Sequence, residues 1–189
     1  LEAVSWSARR VLLVTVHRRE NLGDDLRDLC RAFRRILDQH DDVEIVFPVH
    51  LNPKVREIVF AELSESDRIH LFDPLSYPDL LEVMRRSYLI LSDSGGIQEE
   101  APAFRKPILI LRTVTERPEV IESGFGRLVG TDIDLVTATV GSLLDDAAAY
   151  QRMVSGSNPF GDGRAAERIV EVIERRFGLS APASLAVGA

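Results

Sequence analysis

The sequence predicts an α/β fold, a doubly wound parallel sheet of the Rossmann-like kind, and two observations carry that reading. Short β-branched apolar runs such as "VLLVTV" (residues 11–16) recur along the chain without polar alternation, as strands covered on both faces require. Between them lie segments of helix length whose apolar residues repeat at helical spacing. Strand–helix alternation implies right-handed crossovers, and hence a parallel sheet with helices on both faces.

Each element follows in order. Residues 11–16 form the first strand. "DDLRDLCRAFRRILDQH" (24–40) is a helix that gathers Leu26, Leu29, Cys30, Phe33, Ile36 and Leu37 on one face. "VEIVFPV" (43–49) is the second strand, and residues 52–63 the second helix, with Asn52 as cap and Pro53 at its first position. "RIHLFD" (68–73) is the third strand, followed by a Ser-capped helix over 76–87. "YLILSD" (88–93) is the fourth strand and 95–104 its helix. "PILILR" (107–112) is the fifth strand, and 116–123 a short helix closed by Gly124. "GRLVG" is a short sixth strand, and "IDLVTATVGSLLDD" and "DGRAAERIVEVIERRF" are the closing helices. Neither a linker nor an internal repeat is evident, so 1–178 reads as one domain and 179–189 as a tail. The chain lacks an initiator Met and is in its first strand by Val11, which reads as a piece of a longer protein.

Bulk properties narrow the function. With 189 residues, 45% hydrophobic and 28% charged, the chain has enough apolar material for a substantial core. A net charge of −7 argues against a general nucleic-acid or acidic-membrane surface, while local basic clusters still suit one anionic ligand. The single Cys30 cannot form an internal disulfide, which fits a reducing compartment and opposes a cysteine metal site. No run approaches the roughly 18 apolar residues of a membrane span, and the N-terminus lacks a signal-peptide pattern. A cytoplasmic setting is expected. No His/Cys/Asp grouping has metal-ligand spacing, and neither a G-x-S-x-G elbow, a GxGxxG fingerprint nor a P-loop occurs. No metal and no cofactor are expected.

In doubly wound sheets ligands bind outside the carboxyl ends of the strands. That rule places "HRRE" after the first strand, His50 after the second, Asp73-Pro74 after the third, Ser92–Gly96 after the fourth and Arg112–Arg117 after the fifth, all on one rim. The rim is rich in Arg and His in an acidic protein. In "SDSGGIQEE", Ser94, Gly95 and Gly96 let backbone approach a ligand at a helix start, where the dipole favours negative charge. Glu100, one turn on, is placed to accept from ribose hydroxyls. A tight turn followed by two dipole-complementing glutamates accounts for the same residues. His17 in "TVHRRENLG" can shuttle a proton or donate to a phosphate, or cap a turn while the arginines pair with Glu20 and nearby aspartates. His50 before a Pro-started helix reads as structural on local grounds. Arg117 suits bidentate phosphate contact, with a surface capping role of Glu116–Arg117 at the start of the short helix as the alternative. "NPFGDGRAAERI" reads as a turn-rich lead-in to the last helix with Asp162 or Gly163 near its cap. His40 and His70 read as a surface helix end and a strand residue.

Taken together, "VTVHRRENLG", "FPVHLNP", "LSDSGGIQEEAP", "RTVTERPE" and "NPFGDGRAAERI" resemble the non-hydrolysing UDP-N-acetylglucosamine 2-epimerases, in order and over about residues 11–177. The resemblance implies two Rossmann-like domains in the glycosyltransferase-B arrangement, of which this chain is the second. It implies interconversion of UDP-GlcNAc and UDP-ManNAc without a redox cofactor, through elimination and re-addition of UDP, in the supply of cell-envelope polysaccharides. His17 then corresponds to a catalytic position near the breaking C1–O bond. Ser94, Gly95 and Gly96 correspond to the diphosphate turn, Glu100 to the ribose carboxylate, and Arg117 to a phosphate contact. Arg18 and His50 correspond to positions that contact a second, allosteric UDP-GlcNAc in some relatives. Leu80 stands about where some relatives carry an aromatic against uracil. The acid/base carboxylates would lie in the other domain, so this chain alone is expected to be inactive; a homodimer is the expected assembly. The other readings are a glycosyltransferase domain of the same architecture, a hydrolysing epimerase, or a non-catalytic UDP-sugar-binding module. The "HRREN" block favours the epimerase.

Overall fold

The computed structural model describes residues 1–178. The chain divides into two compact units, Leu1–Pro159 and a second that starts at Phe160. The expected tail over 179–189 lies outside the described residues.

The first unit is built on six parallel strands: β1 (Arg10–Thr15), β2 (Val43–Pro48), β3 (Ile69–Phe72), β4 (Leu89–Ser92), β5 (Ile108–Ile110) and β6 (Gly126–Leu128). Their order in the sheet is β3-β2-β1-β4-β5-β6. The chain starts in the middle, winds outward to β3, then returns to the other side of β1. The switch point therefore falls between β1 and β4, where an open sheet of this kind leaves a crevice at its carboxyl edge. Register aligns Thr15 with Ser92, and their hydroxyls meet at 2.6 Å.

The strands are connected by α1 (Asp24–Gln39), α2 (Pro53–Leu63), α3 (Tyr77–Arg86), α4 (Gly95–Glu100) and α5 (Pro118–Glu122), and β6 is followed by α6 (Ile133–Asp145) and α7 (Ala147–Val154). The two-residue period of a strand sorts the core. Leu12, Val14, Ile45, Phe47, Leu89, Leu91 and Leu109 face a cluster with α1, α2 and α6. Val11, Leu13, Val46, Ile90 and Ile108 are equally buried and belong to the opposite face. All six apolar positions expected on one side of α1 are buried. Cys30 lies among them, and burial pushes its thiol up to about 12, an inert state.

Capping chemistry fixes the helix starts. The Asn52 side chain accepts from Lys54 N at 3.0 Å and Ser76 Oγ from Asp79 N at 3.4 Å. Three expectations need correction. The helix expected over 95–104 is α-helical only to Glu100 and continues as a 3-10 turn, Ala101–Phe104, because Pro102 has no N–H to continue the ladder. Helix α7 was not anticipated: its apolar stripe is short, and what makes it a helix is alanine propensity together with the Asp146 carboxylate, which accepts from Ala148 N (2.8 Å) and Ala149 N (3.1 Å). His40 is no surface residue; its side chain is 11% exposed and Nδ1 lies 3.7 Å from Asp145. His70, on β3, pairs through Nε2 with the buried Glu44 at 3.1 Å.

Glu44 also accepts from Ser5 N at 2.8 Å and lies 3.5 Å from Arg9, so it ties the N-terminal segment to the sheet. That segment buries Val4 and sets Trp6 under the Arg86 guanidinium, 4.4 Å from the ring centre.

The second unit contains α8 (Ala165–Phe177). Its start follows the expected turn: Asp162 Oδ1 accepts from Arg164 N at 3.1 Å, and the same carboxylate pairs with Arg168 at 2.7 Å.

Candidate functional site

The carboxyl ends of β1, β2, β4 and β5 bring most of the singled-out residues together. Register between β1 and β4 sets the residues after Thr15 beside those after Ser92, and a fully buried carboxylate, Asp93, joins the two connections. It accepts from His17 N (3.0 Å), Arg18 N (2.8 Å) and Asn21 Nδ2 (3.0 Å), and its Oδ1 lies 3.1 Å from His17 Nδ1. Asn21, buried in a 3-10 turn (Arg19–Asn21), also donates to the Leu111 carbonyl at 3.0 Å, which extends the tie to the end of β5. Burial opposes the Asp93 charge, but the bonds from the His17 ring and from the Arg18 and His17 amides outweigh it and hold the carboxyl below its ordinary value. His17 is 39% exposed. Its ring stacks on that of His50, centres 5.8 Å apart and planes 20° from parallel, and His50 Nδ1 accepts from Asn52 N at 3.1 Å.

Ser94 occupies the cap position of α4 without a side-chain capping bond; its amide donates to Ser92 Oγ at 3.0 Å. Neither Gly95 nor Gly96 has a positive φ. A Cβ built on Gly95 would meet nothing nearer than Arg18 Nη2 at 3.9 Å, and one on Gly96 nothing nearer than Ser94 Oγ at 3.9 Å. The fold itself therefore does not demand glycine at either position. What glycine provides is bare backbone at a helix start, with an arginine alongside. The Arg18 Nε is buried there without a partner.

The neighbouring glutamates diverge. Glu99 takes Arg117 Nε, and that bond holds the guanidinium above its ordinary value; Arg117 Nη1 donates to the Glu116 backbone carbonyl at 3.0 Å, while the Glu116 carboxylate turns to Arg112. Thr115 Oγ1 accepts from Arg117 N at 3.0 Å and donates to Gln98 Oε1 at 2.5 Å, which fixes the residue preceding α5 to α4. Glu100 Oε2, by contrast, is buried and unpartnered. Its charge raises the Tyr77 hydroxyl above the ordinary value. Glu20, expected beside the arginines of its own loop, instead pairs with Arg112 at 2.5 Å. Arg112 is 5% exposed and also grips Glu116 at 2.6 Å, driving that carboxyl down to about 2.

Asn21 and Gln98 were not anticipated, and Asp93 and Arg112, placed on the rim by the carboxyl-edge rule, were given no role of their own. Asp93 had a readable signal, since it is the first charge after the apolar run "LIL". Asn21 had none, because its partners lie 72 and 90 residues away. Leu80, in the first turns of α3, is half-buried. Open pockets of about 540 Å³ beside β6 and about 310 Å³ between α1 and α2 lie away from this rim, and a smaller one of about 190 Å³ opens on the rim beside Asn21, Arg112 and Thr131. Among the described residues, no group of three or more His, Cys, Asp and Glu is arranged to hold a metal, and no helix is long and apolar enough to cross a membrane.

Sheet order and rim define a doubly wound α/β domain with its chemistry gathered at the β1/β4 switch point. The family model described as UDP-N-acetylglucosamine 2-epimerase matches residues 1–174, and the chain belongs to that family. A Thermotoga maritima relative is 50% identical over 182 residues, covering 96% of this chain and 48% of its own length. The Staphylococcus aureus MnaA–UDP co-structure superposes with a TM-score of 0.87 at 44% identity, over 97% of this chain and 50% of that one. UDP-GlcNAc 2-epimerase from Neisseria meningitidis, bound to UDP-GlcNAc, gives 0.84 at 38% identity, over 88% and 45%. The chain spans about half the length of the relatives it matches.

Proposed function

We propose that this chain is the UDP-binding half of a UDP-N-acetylglucosamine 2-epimerase that interconverts UDP-GlcNAc and UDP-ManNAc. The observation that carries the reading is the bare Gly95-Gly96 turn flanked by two unsatisfied groups of opposite charge, Arg18 Nε and Glu100 Oε2. A buried polar atom without a partner costs stability unless a ligand completes it. A nucleoside diphosphate completes both: its phosphates answer the guanidinium and the helix-start amides, and its ribose hydroxyls answer the carboxylate. Names of the UDP- and UDP-GlcNAc-bound relatives support that ligand class.

In this reading Ser94, Gly95 and Gly96 hold the diphosphate, Arg117 reinforces it, and Glu100 reads the ribose. His17 stands at the C1–O bond. A base in the preceding half removes the C2 proton as UDP leaves C1, forming 2-acetamidoglucal; C2 is then reprotonated on the opposite face and UDP adds back to C1. His50, stacked on His17, and Arg18, shared between the two ligands, would also contact a second UDP-GlcNAc that acts as activator. The C2 acid and base come from the other half of the enzyme, so the chain by itself binds UDP without turning over sugar. Light scattering on the two-domain protein reads the homodimer.

The test is calorimetric titration of this chain with UDP, repeated with Glu100→Ala and Arg117→Ala. Affinity weakened about tenfold or more in each variant supports the assignment. Unchanged affinity in both would remove it.

A further inference from the structure

We infer that Asp93, seconded by Asn21, is the positioning residue of this site, fixing His17 as the tautomer whose Nδ1 carries the proton and whose Nε2 is left for the ligand. The inference rests on the proposed role of His17 at the leaving diphosphate. An ionised carboxylate offers about four lone-pair positions, and Asp93 has four donors around it: His17 N, Arg18 N, Asn21 Nδ2 and His17 Nδ1. Its accepting capacity is filled, and its side chain is 0% exposed. Asp93 therefore does not touch a ligand itself; it acts through His17.

An acceptor-only partner at Nδ1 selects the Nδ1–H form of the neutral ring. The same bond stabilises the imidazolium once Nε2 takes up a proton, so the ring can hand a proton to a departing phosphate oxygen and recover it on the return step. The other ring against it is His50, stacked on it from the connection after β2, and Arg18 follows it in the chain with its guanidinium beside Gly95. Neither offers a carboxylate. Asn21 adds rigidity, since its amide spans Asp93 Oδ2 and the Leu111 carbonyl, both at 3.0 Å, and so restrains the carboxylate from turning. Because Arg18 N hangs from the same oxygen, one buried group sets both the imidazole and the arginine beside Gly95.

A purely structural tie between the two loops makes a different prediction, and Asp93→Asn separates them. Asparagine keeps the shape but can turn its NH₂ toward Nδ1, which then accepts, and the proton moves to Nε2. Nitrogen-15 NMR of the His17 ring in this chain is expected to read Nδ1–H in the wild type and Nε2–H in Asp93→Asn. In the two-domain enzyme, kcat of that variant is expected to fall by about 10²–10⁴-fold while KM for UDP-GlcNAc stays within about threefold. Asn21→Ala serves if Asp93→Asn fails to fold, and is expected to mix the tautomers and lower kcat about tenfold. A wild-type ring protonated at Nε2, or variants that keep both the tautomer and kcat, would overturn the inference. Failure of the wild-type chain to bind UDP, with Nδ1–H in place, would sink the functional reading and leave the positioning intact.

Discussion

Glu99 and Glu100 adjoin in the chain, yet one is paired with Arg117 and the other keeps a buried oxygen without a partner. That contrast makes Glu100 the residue whose removal separates stability from binding. Glu100→Gln is expected to leave thermal stability equal or raised, since a carboxylate with one buried, unpartnered oxygen becomes a neutral amide, while UDP affinity falls; scanning calorimetry alongside titration checks both. Gly95→Ala and Gly96→Ala extend the argument. Their Cβ atoms have room in the free protein, so stability should shift by no more than about 0.5 kcal/mol. On the proposed diphosphate site, UDP affinity should drop by an order of magnitude or more, because the added methyl would sit where phosphate approaches backbone. A large stability loss would mean that the glycines serve the fold. The residues that face the open rim, His17, Ser94 and Glu100, were legible from their place after strands. Of those that hold them, Asp93 could be placed on the rim as the charge that ends its apolar run, but its role, and Asn21 altogether, lie in contacts 76 and 72 residues distant that no local pattern encodes.

At the scale of elements, α1 is the member whose pattern and burial agree most fully. Phe33 is 0% exposed and meets Phe47 of β2 edge-on, ring centres 6.3 Å apart. Phe33→Ala should cost about 3–5 kcal/mol, read as a lowered urea midpoint with an unchanged slope. Long amphipathic helices and continuous apolar strands were legible because a 3.6- or 2-residue period leaves many repeats in the sequence. Helix α7 has eight residues and rests on alanine propensity, an Asp cap and a Tyr150–Tyr88 contact, so its period was too brief to read. The halt of α4 at Glu100 could have been read from Pro102, but apolar continuity through 104 concealed it.

For the whole first unit, acid is the informative stress. Asp93 and Glu44 both titrate below their ordinary values; burial raises each, and donated hydrogen bonds bring each down. A depressed carboxyl stabilises the native state above its unfolded pKa, near 4, and that stability is lost as pH falls through the native value. Urea midpoints should therefore be flat from neutral pH to about 5 and fall steeply below 4, and Asp93→Asn should flatten part of that fall. Strand–helix alternation made the parallel sheet legible, and the carboxyl-edge rule placed the rim. The strand order and the separate unit after Pro159 depend on long-range pairing and were not readable.

The N-terminal segment held by Glu44 has one more consequence. Trp6 is the chain's sole tryptophan, it precedes β1, and its indole N–H donates to the Leu1 carbonyl at 3.2 Å. It therefore sits at the amino edge of the sheet, opposite the rim. Its intrinsic fluorescence is an optical gauge of that edge, expected to respond to the segment's release. If emission in urea shifts before the far-ultraviolet dichroism collapses, residues 1–9 peel away ahead of the sheet; coincident curves mean that the segment and the sheet melt as one cooperative body.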